Sequence, residues 1–167
     1  MTHIVVNDAS CLIDLRKGRL LPVLCCLPYR FVVPLPIKVS ELLDFTPQEW
    51  ALLDGSGMET YDLPPERVSD VFALKNQHSS LSANDCFCLV TTQCQENGIL
   101  LTGDQTLRKV AMAAGVEVHG VLWIIDELKA ANACEDALLI NALEEWRRDS
   151  AVFLPNNLID ERIRSMR

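Results

Sequence analysis

Two aspartates each follow an apolar, strand-like run of the sequence. Asp8 comes after residues 4–6, and Asp104 comes after residues 99–102. Because the carboxyl ends of parallel strands meet at one edge of a sheet, we expect both carboxylates to lie on the same rim. Two hard anionic ligands on one rim suit a divalent metal ion.

Two further acidic residues are candidates for the same site. Asp85 stands three positions after Ser82, in the first turn of a predicted helix, and Glu41 lies among apolar neighbours that predict another helix. With Asp8 and Asp104 they would offer oxygen ligands to Mg²⁺ or Mn²⁺ and leave space for coordinated water. Metal-activated water hydrolyses phosphodiesters and requires no serine, cysteine or histidine nucleophile.

Each aspartate also has a purely structural interpretation. Asp8 suits a turn or cap before the helix that begins near Ser10. Asp85 complements a helix N-terminus, and Asp104 can cap the helix that follows it. Capping and metal binding are compatible, and the joint occurrence of the acidic residues favours a metal site. Asp14, one turn beyond Ser10, is expected to face solvent and is left out of the site.

The elements that must position these residues alternate between strands and helices. Strands are predicted at residues 4–6, 31–33, 60–63, 99–102 and 116–118, with helices between and after them. A helix is predicted over residues 19–27, and the tail after Pro155 is at best amphipathic. The strands are too uniformly apolar to face water, which predicts an α/β fold with a parallel sheet covered by helices on both faces.

The net charge of −8 is unusual for a nucleic-acid-binding protein, because phosphate contacts normally come from a basic face. The positive residues are unevenly distributed, however. Two clusters follow predicted strands: Arg16 with Lys17, and Arg108 with Lys109. Further arginines collect towards the C-terminus: Arg147, Arg148, Arg162, Arg164 and Arg167. We expect the first two clusters to guide substrate phosphates, and solvated helix faces are the alternative interpretation of each residue.

Cysteine usage and hydropathy indicate the compartment. The chain has 7 cysteines, an odd number that cannot pair completely, and it has no CxxC motif and only 3 isolated histidines. A zinc site is therefore not indicated, and we expect reduced thiols that fill the core. No apolar run is long enough to cross a bilayer, and the first residues do not resemble a signal peptide. These features predict a soluble, cytoplasmic protein.

Four short segments resemble, in order, the acidic motifs of PIN domains. They are residues 5–10 (VVNDAS), 40–42 (SEL), 81–85 (LSAND) and 100–107 (LLTGDQTL). The resemblance spans about the first three quarters of the chain. It implies a PIN-like three-layer α/β/α fold in a single domain over residues 1–167, with the acidic motifs in residues 1–119 and a helical extension in residues 120–167.

The resemblance also implies a metal-dependent endoribonuclease, similar to prokaryotic VapC-type toxins and their relatives. The metal-binding and catalytic quartet would be Asp8, Glu41, Asp85 and Asp104, with Mg²⁺ or Mn²⁺ as the cofactor. Ser10 would orient a carboxylate or a metal-bound water. Such toxins bind RNA, are usually homodimers and are held inactive by a cognate antitoxin.

The chain departs from the PIN pattern in some places, and other functions remain open. Gln105 stands where many relatives carry an acidic or amide residue, and the stretch between Glu41 and Asp85 contains an extra helical piece. Residues 120–167 are not needed to form the acidic quartet, and this segment would suit a dimer or partner surface. A catalytically weak protein-interaction module is the main alternative, and a metal-dependent phosphatase or DNA nuclease is a third.

Overall fold

Five short segments form one parallel sheet in the computed structural model, which describes residues 2–167. The strands are β1 (Ile4–Asn7), β2 (Arg30–Pro34), β3 (Glu59–Tyr61), β4 (Gly98–Leu101) and β5 (Glu117–His119). Their order across the sheet is β3-β2-β1-β4-β5, and all neighbouring strands run parallel. The apolar residues of β1, β2 and β4 are buried, as expected for a sheet covered on both faces.

The strand order places a topological switch point beside β1. From β1 the chain builds β2 and β3 on one side and then returns to build β4 and β5 on the other. In the register of β1 and β4, Asn7 pairs with Leu101, so both strands end at the same level. Ligands of open α/β sheets bind at such a position, beyond the carboxyl ends of the strands.

Helices make up the outer layers of the fold. Within residues 2–167 they are α1 (Ala9–Lys17), α2 (Leu21–Leu24), α3 (Leu35–Ser40), α4 (Pro47–Ser56), α5 (Val68–Gln77), α6 (Ala83–Gln93), α7 (Gln105–Ala113), α8 (Val121–Ala130), α9 (Asp136–Arg148) and α10 (Asn156–Met166). A short 3-10 helix, Pro65–Arg67, precedes α5. The predicted three-layer α/β/α fold is confirmed. No helix among residues 2–167 is long and apolar enough to cross a membrane.

Three local predictions need correction. The predicted helix over residues 19–27 is reduced to Leu21–Leu24. Arg19 takes a left-handed backbone conformation with φ of 59°, so the helix cannot begin at that residue. Helix α3 ends at Ser40, so that Glu41 is its C-cap and not an interior residue. The tail after Pro155 forms the complete helix α10, whose residues Ile159 and Ile163 are buried.

The C-terminal helices share the hydrophobic core of the sheet layers. The indole of Trp146 on α9 is 1% exposed and donates a hydrogen bond of 2.7 Å to the carbonyl oxygen of Asp14 on α1. Gly18 at the end of α1 allows this contact, because a Cβ there would lie 3.0 Å from the Cβ of Ala142 and 3.1 Å from the Trp146 ring. Residues beyond 119 therefore hold α1, which begins next to Asp8, in place.

The first residue of β4, Gly98, allows α6 to pass close to the sheet. A Cβ at Gly98 would lie 2.3 Å from the carbonyl oxygen of Thr92, so the backbone would have to move. We expect Gly98→Ala to lower the free energy of unfolding by about 1–3 kcal/mol, as overpacking typically does. Urea unfolding followed by circular dichroism measures the change.

Gly55→Ala is the matched control for Gly98→Ala. Gly55 lies inside α4, and a Cβ there would meet no atom within 4 Å. Because alanine loses less backbone entropy in a helix than glycine, Gly55→Ala should raise the free energy of unfolding by about 0.5–1 kcal/mol. A stability change of the same sign in both variants would contradict the conclusion that Gly98 is required because α6 lies too close to β4 for a Cβ.

Candidate acidic site

The carboxylate of Asp8 lies at the carboxyl end of β1 and is only 5% exposed. Its Oδ1 accepts a hydrogen bond of 2.8 Å from the backbone N–H of Ala9, so that Asp8 is the N-cap of α1. Its Oδ2 accepts hydrogen bonds from Thr102 Oγ1 at 2.8 Å and from Ser10 Oγ at 3.3 Å. The buried charge is therefore solvated by protein donors in place of water.

Asp104 stands beyond the end of β4, on the neighbouring strand. Its Oδ1 accepts a hydrogen bond of 3.0 Å from the N–H of Leu107, and Asp104 is thereby the N-cap of α7. The N–H of Asp104 donates to Thr102 Oγ1 at 3.1 Å, and the N–H of Gly103 donates to Ser10 Oγ at 3.0 Å. The hydroxyls of Ser10 and Thr102 thus join the ends of β1 and β4, and each contacts Asp8.

Asp85 is held at the N-terminus of α6 by a capping box. Its backbone N–H donates to Ser82 Oγ at 3.0 Å, and its Oδ2 accepts a hydrogen bond of 2.9 Å from the N–H of Ser82. The neighbouring Asn84 donates from its amide to Ser40 Oγ at 2.9 Å. This contact ties the start of α6 to the end of α3, where Glu41 follows.

Negative charge accumulates where these elements meet. Burial raises the pKa of Asp8, the charge of Asp85 adds to the rise, and the hydrogen bonds from Thr102, Ala9 and Ser10 oppose it. Burial also raises the pKa of Glu41, as do the charges of Asp8 and Asp85, whereas Asn84 opposes the rise. Asp8, Glu41 and Asp85 are therefore close enough to repel one another.

The structural roles proposed for the aspartates are all observed. Asp8 and Asp104 cap α1 and α7, and Asp85 occupies the first turn of α6. The partial positive charge of a helix N-terminus stabilises each carboxylate. Within residues 2–167 none of these aspartates, nor Glu41, forms an ion pair with a basic side chain. Helix N-termini and hydrogen-bond donors, rather than basic side chains, offset the negative charge of the three aspartates.

The donor chemistry of this site suits a hydrated divalent cation. All the candidate ligands are carboxylates, which Mg²⁺ and Mn²⁺ prefer. Within the described chain, residues 2–167, no three Asp, Glu, His or Cys side chains converge closely enough to hold one ion. Mg²⁺ is nevertheless usually held by one or two carboxylates and keeps several waters. The residues therefore fit a water-rich metal site rather than a closed protein cage.

The residues predicted to guide phosphates have different surroundings. Arg16 donates two hydrogen bonds to the carboxylate of Glu49, at 2.6 and 2.9 Å, and Lys17 pairs with Asp149 at 3.1 Å. Arg108 and Lys109 have no hydrogen-bonding or ion-pairing side-chain partner among residues 2–167. Most C-terminal arginines are also paired with acids: Arg147 with Asp160, Arg148 with Glu145, Arg162 with Asp126 and Arg167 with Glu144.

A large cleft, the side cleft, adjoins the acidic site. It has a volume of about 840 Å³ and is lined by residues of α1, α7, α8, α10 and the segment 151–155. Ser10, Thr102 and Gly103, which belong to the rim, also line the side cleft. Any ligand in the cleft would therefore lie next to the hydrogen-bond partners of Asp8.

Sequence reasoning missed several residues around the site. Thr102 and Asn84 lie within the segments that resemble PIN motifs, yet no role was predicted for either. A hydroxyl residue at the end of an apolar strand was the available signal for Thr102. Cys88, whose pKa is raised by burial, lies 3.9 Å from Asp8 Oδ1, and no pattern in the sequence predicts that contact. All the cysteines in residues 2–167 are free.

Asp14 was expected to face solvent, and that prediction is wrong. The residue is half-buried and lines the side cleft. Burial raises the pKa of Asp14 to about 6, Lys17 opposes the rise and Asp149 adds to it. The packing of α8 and α9 against α1 partly removes this face of the helix from water, which the helical period of residues 10–17 alone does not indicate.

Comparison with known families identifies this fold. A family model of PIN domains, DUF3368, matches residues 4–167, almost the whole chain. The chain therefore belongs to the PIN-domain family, as its motifs predicted. PIN domains are generally nucleases and typically use divalent metals. No curated protein sequence matched the chain.

Removing the Thr102 hydroxyl should weaken the site without changing its shape. We expect Thr102→Val to raise the pKa of Asp8 further, because the hydrogen bond from Thr102 lowers it. The free energy of unfolding should fall by about 1–3 kcal/mol, the typical cost of an unsatisfied buried acceptor. Carboxyl carbon NMR across a pH series reports the pKa, and urea unfolding reports the stability. Thr106→Val, at an exposed position of α7, should change stability by less than about 0.5 kcal/mol.

The raised pKa of Asp14 predicts a pH-dependent gain of stability in Asp14→Asn. The unfolded carboxyl loses its proton near its ordinary pKa of 3.8, whereas the folded one loses it near about 6. Charged Asp14 therefore destabilises the fold above about pH 6, and the penalty disappears below the unfolded pKa. The full pKa shift corresponds to about 3 kcal/mol of unfolding free energy. Because Asp14 is partly exposed to solvent, we expect Asp14→Asn to gain only about 1–2 kcal/mol at high pH.

Urea unfolding of the wild type and Asp14→Asn between about pH 4 and pH 8 tests this expectation. Asp14→Asn should be the more stable protein at pH 8, and the difference should shrink towards zero as the pH falls. A difference in free energy that stays constant across the series would show that the Asp14 carboxyl is not destabilised by burial.

Proposed function

We propose that this PIN domain is an endoribonuclease that depends on Mg²⁺ or Mn²⁺. The observation that carries the proposal is a concentration of negative charge at the sheet switch point that no basic side chain in residues 2–167 neutralises. Asp8 and Glu41 have raised pKa values, partly because of neighbouring carboxylates. A bound divalent cation would relieve this repulsion.

Asp8, Glu41, Asp85 and Asp104 are the proposed metal-binding and catalytic residues. Asp8 is the central ligand, because the bonds from Thr102 and Ser10 hold its carboxylate in one orientation. Ser10 also accepts from Gly103, so it links the carboxylate to the end of β4. A cation bound there would activate water and offset the charge of the reacting phosphate. Glu41, which caps no helix N-terminus, is the residue to which we assign holding water or accepting a proton.

Arg108 and Lys109 are the best-supported substrate contacts of the predicted set. Both follow β4, and neither has a side-chain partner among residues 2–167 that would compete with a phosphate. Arg16 and Lys17 would first have to leave Glu49 and Asp149. We therefore assign phosphate binding first to α7.

A toxin of a toxin–antitoxin pair, active as a homodimer in the cytoplasm, is the proposed biological setting. PIN nucleases bind RNA and often antitoxins, which supports this setting at the family level. The second candidate function is a protein-interaction module with weak or no catalysis. It is favoured by the net charge of −8 and by the exposure of Val39 and Leu43, which flank Glu41 in the sequence.

Metal binding and RNA cleavage should be lost together in Asp8→Asn. Losing a hydrogen-bond partner of a metal ligand costs about 10- to 100-fold in affinity or activity, so losing Asp8 itself should cost at least about 100-fold. Calorimetric titration of Mn²⁺ and cleavage of a mixed RNA pool at equal metal concentration measure the two effects. Single-stranded DNA and a small phosphoester, tested in the same buffer, separate a ribonuclease from the other hydrolases.

Asp62→Asn is the matched control, because Asp62 also follows a strand, β3, but lies two strands away from β1. It should bind Mn²⁺ and cleave RNA as the wild type does. Metal binding without cleavage in the wild type would favour the interaction module. If the wild type neither bound the metal nor cleaved RNA, the proposed site would be wrong.

A further inference from the structure

We propose that the side cleft is a nucleotide-binding site for single-stranded RNA, in which Arg108 binds a phosphate and Phe153 stacks on a base. This inference rests on the proposed function, because it takes RNA as the substrate. It adds a substrate site beyond the acidic rim and assigns that site to residues outside the PIN motifs.

The side cleft is continuous with the rim that holds Asp8. Ser10 and Thr102 donate hydrogen bonds to Asp8 and also line the cleft. The cleft volume of about 840 Å³ lies towards the upper end of the range for small-molecule sites, about 300–1,000 Å³. A chain whose phosphate reacts at the rim can therefore place an adjacent nucleotide in the cleft without leaving the protein surface.

Arg108 provides the anion-binding part of the side cleft. Lys17 and Arg162 also line it, but they pair with Asp149 at 3.1 Å and with Asp126 at 2.8 Å. Arg108 is half-buried, and its guanidinium has no hydrogen-bond or ion-pair partner among residues 2–167. A partly desolvated guanidinium favours a bound anion, and its planar donors match the oxygens of a phosphate.

Phe153 provides the stacking surface. It lines the side cleft and is 89% exposed, so its ring contacts little of the protein. Trp123 also lines the cleft, but its ring already packs on His119 with 4.4 Å between centroids and an interplanar angle of 9°. Exposed aromatic rings bind the faces of unpaired bases with little dependence on sequence. An anion site and a free aromatic ring in one cleft match the two halves of a nucleotide.

A peptide segment of a partner protein is the competing occupant. The unpaired cation and the continuity with the acidic rim favour the nucleotide, because both are explained by a phosphodiester chain. A peptide would require neither. RNA binding by cleft variants decides between the two.

The experiment measures RNA binding by the full chain in the absence of metal. A fluorescein-labelled single-stranded RNA of mixed sequence is titrated with protein in EDTA, and fluorescence anisotropy gives the dissociation constant. Phe153→Ala should weaken binding about 5- to 150-fold, the loss expected for one base stack. Arg108→Gln should weaken it about tenfold and reduce its dependence on salt.

An abasic RNA of the same length separates the two contacts. The effect of Phe153→Ala should disappear with this ligand, because no base remains to stack, whereas the effect of Arg108→Gln should persist. Arg164→Gln and Phe72→Ala are matched controls at exposed positions outside the cleft, and both should bind RNA as the wild type does. Wild-type affinity in both cleft variants would overturn the proposal and favour a peptide as the ligand of the side cleft.

Cleavage assays with Mn²⁺ distinguish a failure of the cleft proposal from a failure of the proposed nuclease function. RNA binding that depends on Arg108 and Phe153, without any cleavage by the wild type, would support the cleft and reject the nuclease. Cleavage with an unchanged KM in both cleft variants would reject the cleft and support the nuclease.

Discussion

The buried carboxylate of Asp8 is the interaction on which the arrangement of the site depends. It ends β1, caps α1 and accepts a hydrogen bond from Thr102 at the end of β4. A carboxylate this deeply buried is costly unless donors surround it. The donors come from different parts of the chain, so the cost of burying Asp8 constrains how the two central strands end relative to each other. The switch point of the sheet is thereby both the centre of the fold and the centre of the acidic site.

The distribution of charge over the molecule follows from this arrangement. Most basic side chains are engaged by surface carboxylates, as in the pair of Arg16 with Glu49. The rim carboxylates receive backbone N–H groups from helix N-termini and hydroxyl donors instead. Dipoles offset part of the charge and leave the carboxylate cluster able to attract a cation from solution. The acidic net charge argued against nucleic-acid binding. It is nevertheless compatible with a local anion site at Arg108, because Arg108, unlike most basic side chains, is not paired with a carboxylate among residues 2–167.

The sequence was a reliable guide wherever a residue's role is set by its near neighbours. Asp8 and Asp104 were predicted to follow strands and to cap helices, and both do so, because strand ends and N-caps depend on a few adjacent residues. Glu41 was less well predicted, because its apolar neighbours indicated a longer helix, whereas α3 ends at Ser40 and Glu41 is its C-cap. The helix after Pro155 was not predicted with its full length and burial, because Ile159 and Ile163 are buried only by packing against the rest of the core.

The sequence by itself determined the parallel α/β class, the family and the edge of the sheet at which the aspartates stand. Hydrophobic periodicity and short motifs carry that information locally. Only the tertiary structure decided that Thr102 solvates Asp8, that Asp14 is half-buried and that Arg108 lacks a partner in a cleft beside the rim. These properties arise between residues about 90 or more positions apart or from the packing of the C-terminal helices on α1. Burial and long-range hydrogen bonding belong to the whole fold, and no local pattern of residues encodes them.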